Sequence, residues 1–133
     1  MSAPDEMLVL ARKMMGQAYA PYSNFAVGAV LRGESGKLYG GCKVENAAYP
    51  QGMCAEASAI AALVAGGERK ITEVLVMAKA DDAVTPCGGC RQRLREFAGG
   101  ETPIHLCNPD GHLQTVTLGT LLPMSFGPEH LGK

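Results

Sequence analysis

Between Pro4 and Ala20 apolar positions recur at helical spacing, with Met7, Leu10, Ala11, Met14 and Ala18 on one face and Pro4 suited to a first helical turn. Two strand-like stretches follow, Ala26 to Arg32 and Lys37 to Val44. The small residues of Gly33-Glu34-Ser35-Gly36 between them predict a hairpin turn. Cys54 to Ala65 is rich in alanine, a strong helix former, and stops at Gly66-Gly67. Ile71 to Ala80 is apolar and partly β-branched, which predicts a buried strand. A short helix is expected from Gly88 to Ala98, again ended by a glycine pair. Strands are expected at Pro103 to Asn108 and Leu113 to Leu118, joined by Pro109-Asp110-Gly111-His112. The predicted order is α-β-β-α-β-α-β-β, then a short helical turn and a tail. The fold class that follows is α/β: three α/β/α layers, with a mixed sheet of about five strands covered by helices on both faces. With no internal repeat, low-complexity tract or linker, residues 1–133 read as a single domain.

Composition narrows the functions available. Hydrophobic residues make up 47% and charged residues 19%, the balance of a globular protein. The seven methionines are best read as flexible core filler. Net charge is −1 and the basic residues are scattered. A polynucleotide-binding protein shows a basic footprint, because phosphate contacts supply much of its affinity. The expected partner is therefore a small, nearly neutral molecule, not a nucleic acid polymer. No apolar run approaches the roughly 20 residues that span a bilayer, so no membrane partner is expected. The acidic start of the chain lacks the layout of a secretion signal, and a cytoplasmic location is expected.

Five cysteines, Cys42, Cys54, Cys87, Cys90 and Cys107, are a poor disulfide framework in such a compartment. Three of them fall in informative surroundings: Cys54-Ala55-Glu56 and Pro86-Cys87-Gly88-Gly89-Cys90. Three thiolates hold zinc and leave one tetrahedral position open, as catalytic zinc sites do. Cys54 and the Cys87–Cys90 pair each stand at a predicted helix N-terminus, where unpaired N–H groups stabilise thiolates. Glu56, two residues after Cys54, points to a different helix face. It can flank the open position and act as an acid–base group on a water there. Duller readings exist. A lone C-x-x-C also serves redox and structural-zinc sites, and His105, His112 or Cys107 are candidate fourth ligands. Cys42 and Cys107 otherwise read as buried small hydrophobes. C-x-E and P-C-x-x-C, with thirty residues between Glu56 and Cys87, favour the catalytic reading and are the general signature of zinc deaminases.

With that signature the sequence resembles the small cytidine deaminases whose zinc is held by cysteines alone and which form homotetramers. The resemblance covers nearly the whole chain. It is carried by Tyr19-Ala20-Pro21-Tyr22-Ser23-Asn24-Phe25-Ala26-Val27-Gly28-Ala29, by Val44-Glu45-Asn46-Ala47 with Tyr49, and by Leu121-Leu122-Pro123 with Ser125-Phe126-Gly127-Pro128. It implies one Zn²⁺ per subunit on Cys54, Cys87 and Cys90, activating a water for attack on carbon 4 of cytosine. Glu56 would take the proton, pass it to ring nitrogen 3, and later help protonate the departing amino group. Phe25 would pack on the nucleoside, Glu45 would accept from the ribose 3′-hydroxyl, and the Ala55 N–H would meet the 2-oxo group. Phe126 and Tyr49 would reach a neighbouring subunit's site. The implied reaction is hydrolytic deamination of cytidine and deoxycytidine in pyrimidine salvage.

Two positions depart from the family. Lys43 stands where an asparagine usually contacts the ribose, and lysine donates hydrogen bonds but accepts none. This keeps open a related zinc deaminase acting on a modified cytosine nucleoside. Ala57 stands where many members carry an arginine that offsets the charge of three thiolates on zinc. Compensation is then expected from the two helix N-termini, with Arg91 or Gln92. A zinc-stabilised interaction domain and a redox protein built on Cys87 and Cys90 are the remaining alternatives.

Overall fold

The computed structural model describes residues Met1–Lys133. Its elements in chain order are α1 (Asp5–Gln17), β1 (Val27–Gly33), β2 (Leu38–Cys42), a 3-10 turn (Tyr49–Gln51), α2 (Ala55–Ala65), β3 (Ile71–Ala78), α3 (Gly88–Arg95), β4 (Pro103–Asn108), β5 (Gly111–Thr117), α4 (Leu118–Leu121) and a second 3-10 turn (Pro128–Leu131). The strands form one sheet in the order β2-β1-β3-β4-β5. Only β3 and β4 pair in parallel, and α3 lies in the crossover between them. The expected mixed five-stranded sheet is present.

Alternation along the strands divides two cores. On one face Val30, Leu75, Met77 and Cys107 pack against Met7 and Ala11 of α1. On the other, Ala29, Leu31, Val74, Val76, Ile104 and Leu106 pack against Ala55, Ala59 and Leu63 of α2 and Leu94 of α3. Full burial of a side chain such as Leu63 or Leu94 is worth about 1.5–3 kcal/mol, so this core fixes where both helices begin. Alanines on α2 let it approach β2 closely. Gly41 completes the fit, since a Cβ there would stand 2.6 Å from the Ala55 carbonyl oxygen. The hairpin turn forms as expected, with Gly36 at φ +93° and its N–H bonded to the Gly33 carbonyl.

Several expected boundaries shift. Helix α1 ends at Gln17, not Ala20, because Tyr19 leaves it to pair with the segment after β2. The Tyr19 N–H donates to the Lys43 carbonyl (2.9 Å) and the Glu45 N–H to the Tyr19 carbonyl (2.8 Å). Strand β2 stops at Cys42, and Val44 instead bridges both Tyr19 and Met53. Strand β3 ends at Ala78, α3 ends at Arg95, and β5 begins at Gly111 and yields to α4 at Leu118. No helix is long and apolar enough to cross a membrane.

Candidate active site

Helices α2 and α3 aim their N-termini at one point. Cys54 and Cys87 are the N-cap residues, both in extended conformation (φ −69°, ψ 153° and φ −67°, ψ 166°). Neither spends its side chain on capping, so both thiols are free to face outward from the helix ends. Cys90, in the first turn of α3, is buried beneath them. The three Sγ atoms lie within 4.8 Å of one another. Tetrahedral zinc with Zn–S bonds of ~2.3 Å wants sulfurs about 3.8 Å apart, so the cluster needs at most a small contraction. Three soft sulfurs with no fourth protein donor fit a zinc centre with one open position.

The candidate fourth ligands are elsewhere. His105 is fully buried, bonded to Glu73 Oε2 (2.6 Å) and Thr115 Oγ1 (2.8 Å). His112 also bonds Thr115, at 2.6 Å, and Cys107 belongs to the core beneath α1. All five cysteines are free thiols. A closed four-ligand site built on these residues is excluded.

The thiols are not equivalent in the absence of metal. Cys87 is held below the ordinary thiol value, first by the backbone N–H of Cys90. Burial pushes Cys54 and Cys90 up. Metal must therefore displace protons, which couples its binding to pH.

Glu56 sits in the first turn of α2 and is only 5% exposed. Burial raises its carboxyl above the usual range, and the Arg93 charge partly opposes this. A carboxyl moved toward neutrality is suited to accept and return a proton. Glu56, Cys54, Cys87, Ala55, Phe25 and Lys43 line a single cavity of about 210 Å³. Lys43 and Cys54 also line a second cavity of about 460 Å³, bounded by Tyr22, Ser23, Glu45 and Tyr49. The two together have the size of a small-molecule pocket.

In the larger compartment the Glu45 carboxylate accepts from the Tyr22 N–H (2.9 Å), the Ser23 N–H (3.2 Å) and the Ser23 hydroxyl, and pairs with Lys43 Nζ (3.2 Å). These contacts, the Ser23 hydroxyl first, hold its carboxyl at about 2. Lys43 also donates to the Phe25 carbonyl (3.0 Å) and Ser23 Oγ (3.2 Å), and its ammonium lies 5.2 Å from the Phe25 ring centroid.

Residues 1–106 match the sequence family described as the cytidine and deoxycytidylate deaminase zinc-binding region. The chain is 40% identical over 127 residues to a cytidine deaminase of Sporosarcina psychrophila, covering 96% of this chain and 93% of that one. The chain belongs to the cytidine deaminase family. A cytidine deaminase of Halalkalibacterium halodurans is 38% identical over 114 residues, 86% of each chain. The solved cytidine deaminase from Burkholderia pseudomallei superposes with a TM-score of 0.87 at 36% identity, over 93% of this chain and 99% of that one. The enzyme from Mycobacterium tuberculosis gives 0.80 at 35%, over 92% and 96%. Zinc dependence follows from the family and from the three-cysteine cluster.

Within this deaminase the structure corrects one expectation. Neither Arg91 nor Gln92 reaches the thiols. Arg91 donates to the Pro86 carbonyl (2.8 Å), the Leu121 carbonyl (2.9 Å) and Thr85 Oγ1 (2.9 Å), tying the loop before Cys87 to the C-terminal segment. Gln92 donates to the Phe126 carbonyl (2.9 Å). Arg93 is the residue at the cluster, with Nη1 3.6 Å from Cys90 Sγ. Sequence reading missed it, although positions 90 and 93 are a helical i, i+3 pair. Tyr22 and Ser23, which fix Glu45, were also missed as individual contacts. Tyr49 stands 76% exposed on the rim of its own chain's pocket, edge-on to Tyr22. Phe126 borders neither cavity; it is 56% exposed and stacks on His130.

Proposed function

We propose that this chain, as one deaminase unit over residues 1–133, converts cytidine and deoxycytidine with water to uridine and deoxyuridine plus ammonia, in pyrimidine salvage. The observation that carries this reading is that Cys54 and Cys87 of the three-thiol cluster line the same small cavity as the buried Glu56. Cys54, Cys87 and Cys90 would hold zinc. When bound, zinc supplies the Lewis acidity that makes a water nucleophilic near neutral pH. Glu56 would take one proton from that water and deliver it to ring nitrogen 3 as carbon 4 is attacked, then carry the water's second proton, from the new carbon-4 hydroxyl, to the leaving amino group, which departs as ammonia. One proton acceptor thus serves both halves of the reaction, and burial keeps bulk water from competing for it.

The remaining residues orient the substrate. The Ala55 N–H, at the first position of α2, has no acceptor within its own helix and suits the 2-oxo group. Phe25 lies against the nucleoside and Glu45 accepts from the ribose 3′-hydroxyl, with Lys43 beside it. The exposure of Tyr49 and Phe126 supports a homotetramer in which these rings complete a neighbour's site.

A second reading, a modified cytosine nucleoside as substrate, is favoured by Lys43, which occupies the junction of the two cavities and pairs with Glu45. The deciding experiment follows the ultraviolet absorbance of cytidine, deoxycytidine and base-modified analogues with the wild type and Glu56→Gln. Turnover of cytidine, reduced ~10²–10⁴-fold in a variant that keeps its zinc, supports the first reading. A zinc-loaded wild type inert toward cytidine but active on an analogue moves the assignment to the second.

A further inference from the structure

Three thiolates on a divalent cation leave one excess negative charge, which weakens the metal as an electrophile. The charges around the cluster bear directly on this. Helix α2 offers no cation in its first turn, where Ala57 is three residues beyond Cys54. Helix α3 repeats the same i, i+3 relation between Cys90 and residue 93, and there the side chain is arginine. Its Nη1 lies 3.6 Å from Cys90 Sγ, a partly buried contact. Gly89 presents no side chain on the flank where the guanidinium lies; a Cβ there would stand 3.4 Å from Nη1. Arg93 forms no ion pair with a carboxylate, whereas Arg95, one turn-face away, is paired with Glu129. Arg91 is spent on loop carbonyls and Gln92 on the C-terminal segment. The guanidinium at the cluster is thus in no salt bridge, and the one carboxylate its charge acts on is Glu56, within the same site.

We propose that Arg93 is the charge-compensating residue of the thiolate centre, acting through Cys90 to set the electrophilicity of the metal without touching substrate. The inference rests on the zinc-deaminase reading above. A hydrogen bond from a cation to a thiolate withdraws electron density from sulfur, so less is donated to the metal, and partners of this kind carry about 10–100-fold in activity or metal affinity. Position 57 lies in the first turn of α2, three residues after the N-cap Cys54, so an arginine introduced there tests whether a guanidinium supplied from the other helix replaces Arg93.

The test uses the zinc enzyme and its cobalt(II)-substituted form for the wild type, Arg93→Ala, Arg93→Lys and the double variant Ala57→Arg/Arg93→Ala. Metal content, melting temperature, kcat and KM are measured, together with the thiolate-to-cobalt charge-transfer band. The expected result is that Arg93→Ala retains metal, loses about 10–100-fold in kcat with KM within twofold, and moves the band to lower energy. Arg93→Lys should recover part of kcat, and Ala57→Arg should recover at least half of the loss on a logarithmic scale. Arg93→Ala with kcat within twofold and an unmoved band overturns the proposal and leaves the deaminase reading intact. So does a loss of kcat that tracks melting temperature and is not rescued from position 57. A folded wild type that binds no zinc overturns both.

Discussion

Lys43 Nζ stands 3.2 Å from Glu45 Oε2, at the junction of the two cavities, and its other contacts are the Phe25 carbonyl and Ser23 Oγ. All three ammonium protons therefore have acceptors within the protein, and Lys43 is one of four donors, with the Tyr22 N–H and the Ser23 N–H and hydroxyl, that engage the Glu45 carboxylate. A ribose hydroxyl must compete with this cation for the carboxylate. Replacing Lys43 by asparagine removes the competitor and supplies a neutral group able to donate and accept. The expected outcome of Lys43→Asn is a KM for cytidine lower by ~3–10-fold, about one hydrogen bond's worth, with kcat unchanged. The gain should vanish with 3′-deoxycytidine. A KM that rises for both nucleosides would show that Lys43 itself holds the substrate.

The contacts of Glu45 also predict an acid-sensitive loop. Its carboxyl is held at about 2 against an ordinary 4.5, so the folded protein binds this proton less tightly than the unfolded chain. The stabilisation is complete above pH 4.5 and drains away as pH falls toward 2. Urea unfolding at pH 6 and pH 3 should show a smaller difference between the two conditions in Glu45→Gln than in the wild type. Equal differences would mean that the Tyr22–Phe25 loop does not depend on this charge.

How much of this was legible beforehand follows from which forces decide each feature. The metal cluster was readable because the spacing of Cys54, Glu56, Cys87 and Cys90 is local, and alanine and glycine patterns place these residues at helix ends. The Gly33–Gly36 turn was readable for the same reason, since Gly36 requires a positive φ. The end of α1 was not, because nothing in its own sequence stops it. Backbone pairing of Tyr19 with Lys43 and Glu45, partners more than twenty residues away, does so. Arg93 was passed over in favour of its neighbours because three arginines crowd α3. Only the helical period separates the one at i+3, which overlies Cys90, from those at i+1 and i+5, whose side chains bond elsewhere.

Removal of zinc should expose the inequality among the three thiols. Cys87 is exposed and held low by the Cys90 N–H, whereas burial raises Cys54 and Cys90, and Cys107 is pushed up to about 11. Thiolate, not thiol, is the reactive form. In chelator-treated protein at neutral pH, iodoacetamide should alkylate Cys87 first, Cys54 and Cys90 later, and Cys107 only on unfolding. Peptide mass spectrometry over a time course reads the order directly. With zinc bound the first three should all be protected. Early labelling of Cys90 would show that loss of metal opens α3.

Phe126 is a bulky ring that its own chain leaves half in solvent, fixed by stacking on His130 at 5.2 Å and by the Gln92 contact to its carbonyl. Burying such a ring is worth about 1.5–3 kcal/mol, and the cavities of its own chain do not use it. If it completes a neighbour's site in a tetramer, an inactive variant and one with weakened substrate binding can repair each other, read as kcat/KM at cytidine well below KM. Glu56→Gln lacks the proton shuttle but keeps Phe126, while Phe126→Ala keeps the shuttle but loses the ring. Mixed and reassembled from dissociated subunits, the pair should form hybrid sites with both residues intact and recover activity above either parent. Phe126→Ala alone should raise KM by ~10-fold or more with zinc retained, the loss of about 1.4 kcal/mol of substrate contact. A mixture no more active than the sum of its parents, at confirmed tetramer size, would confine each site to a single chain.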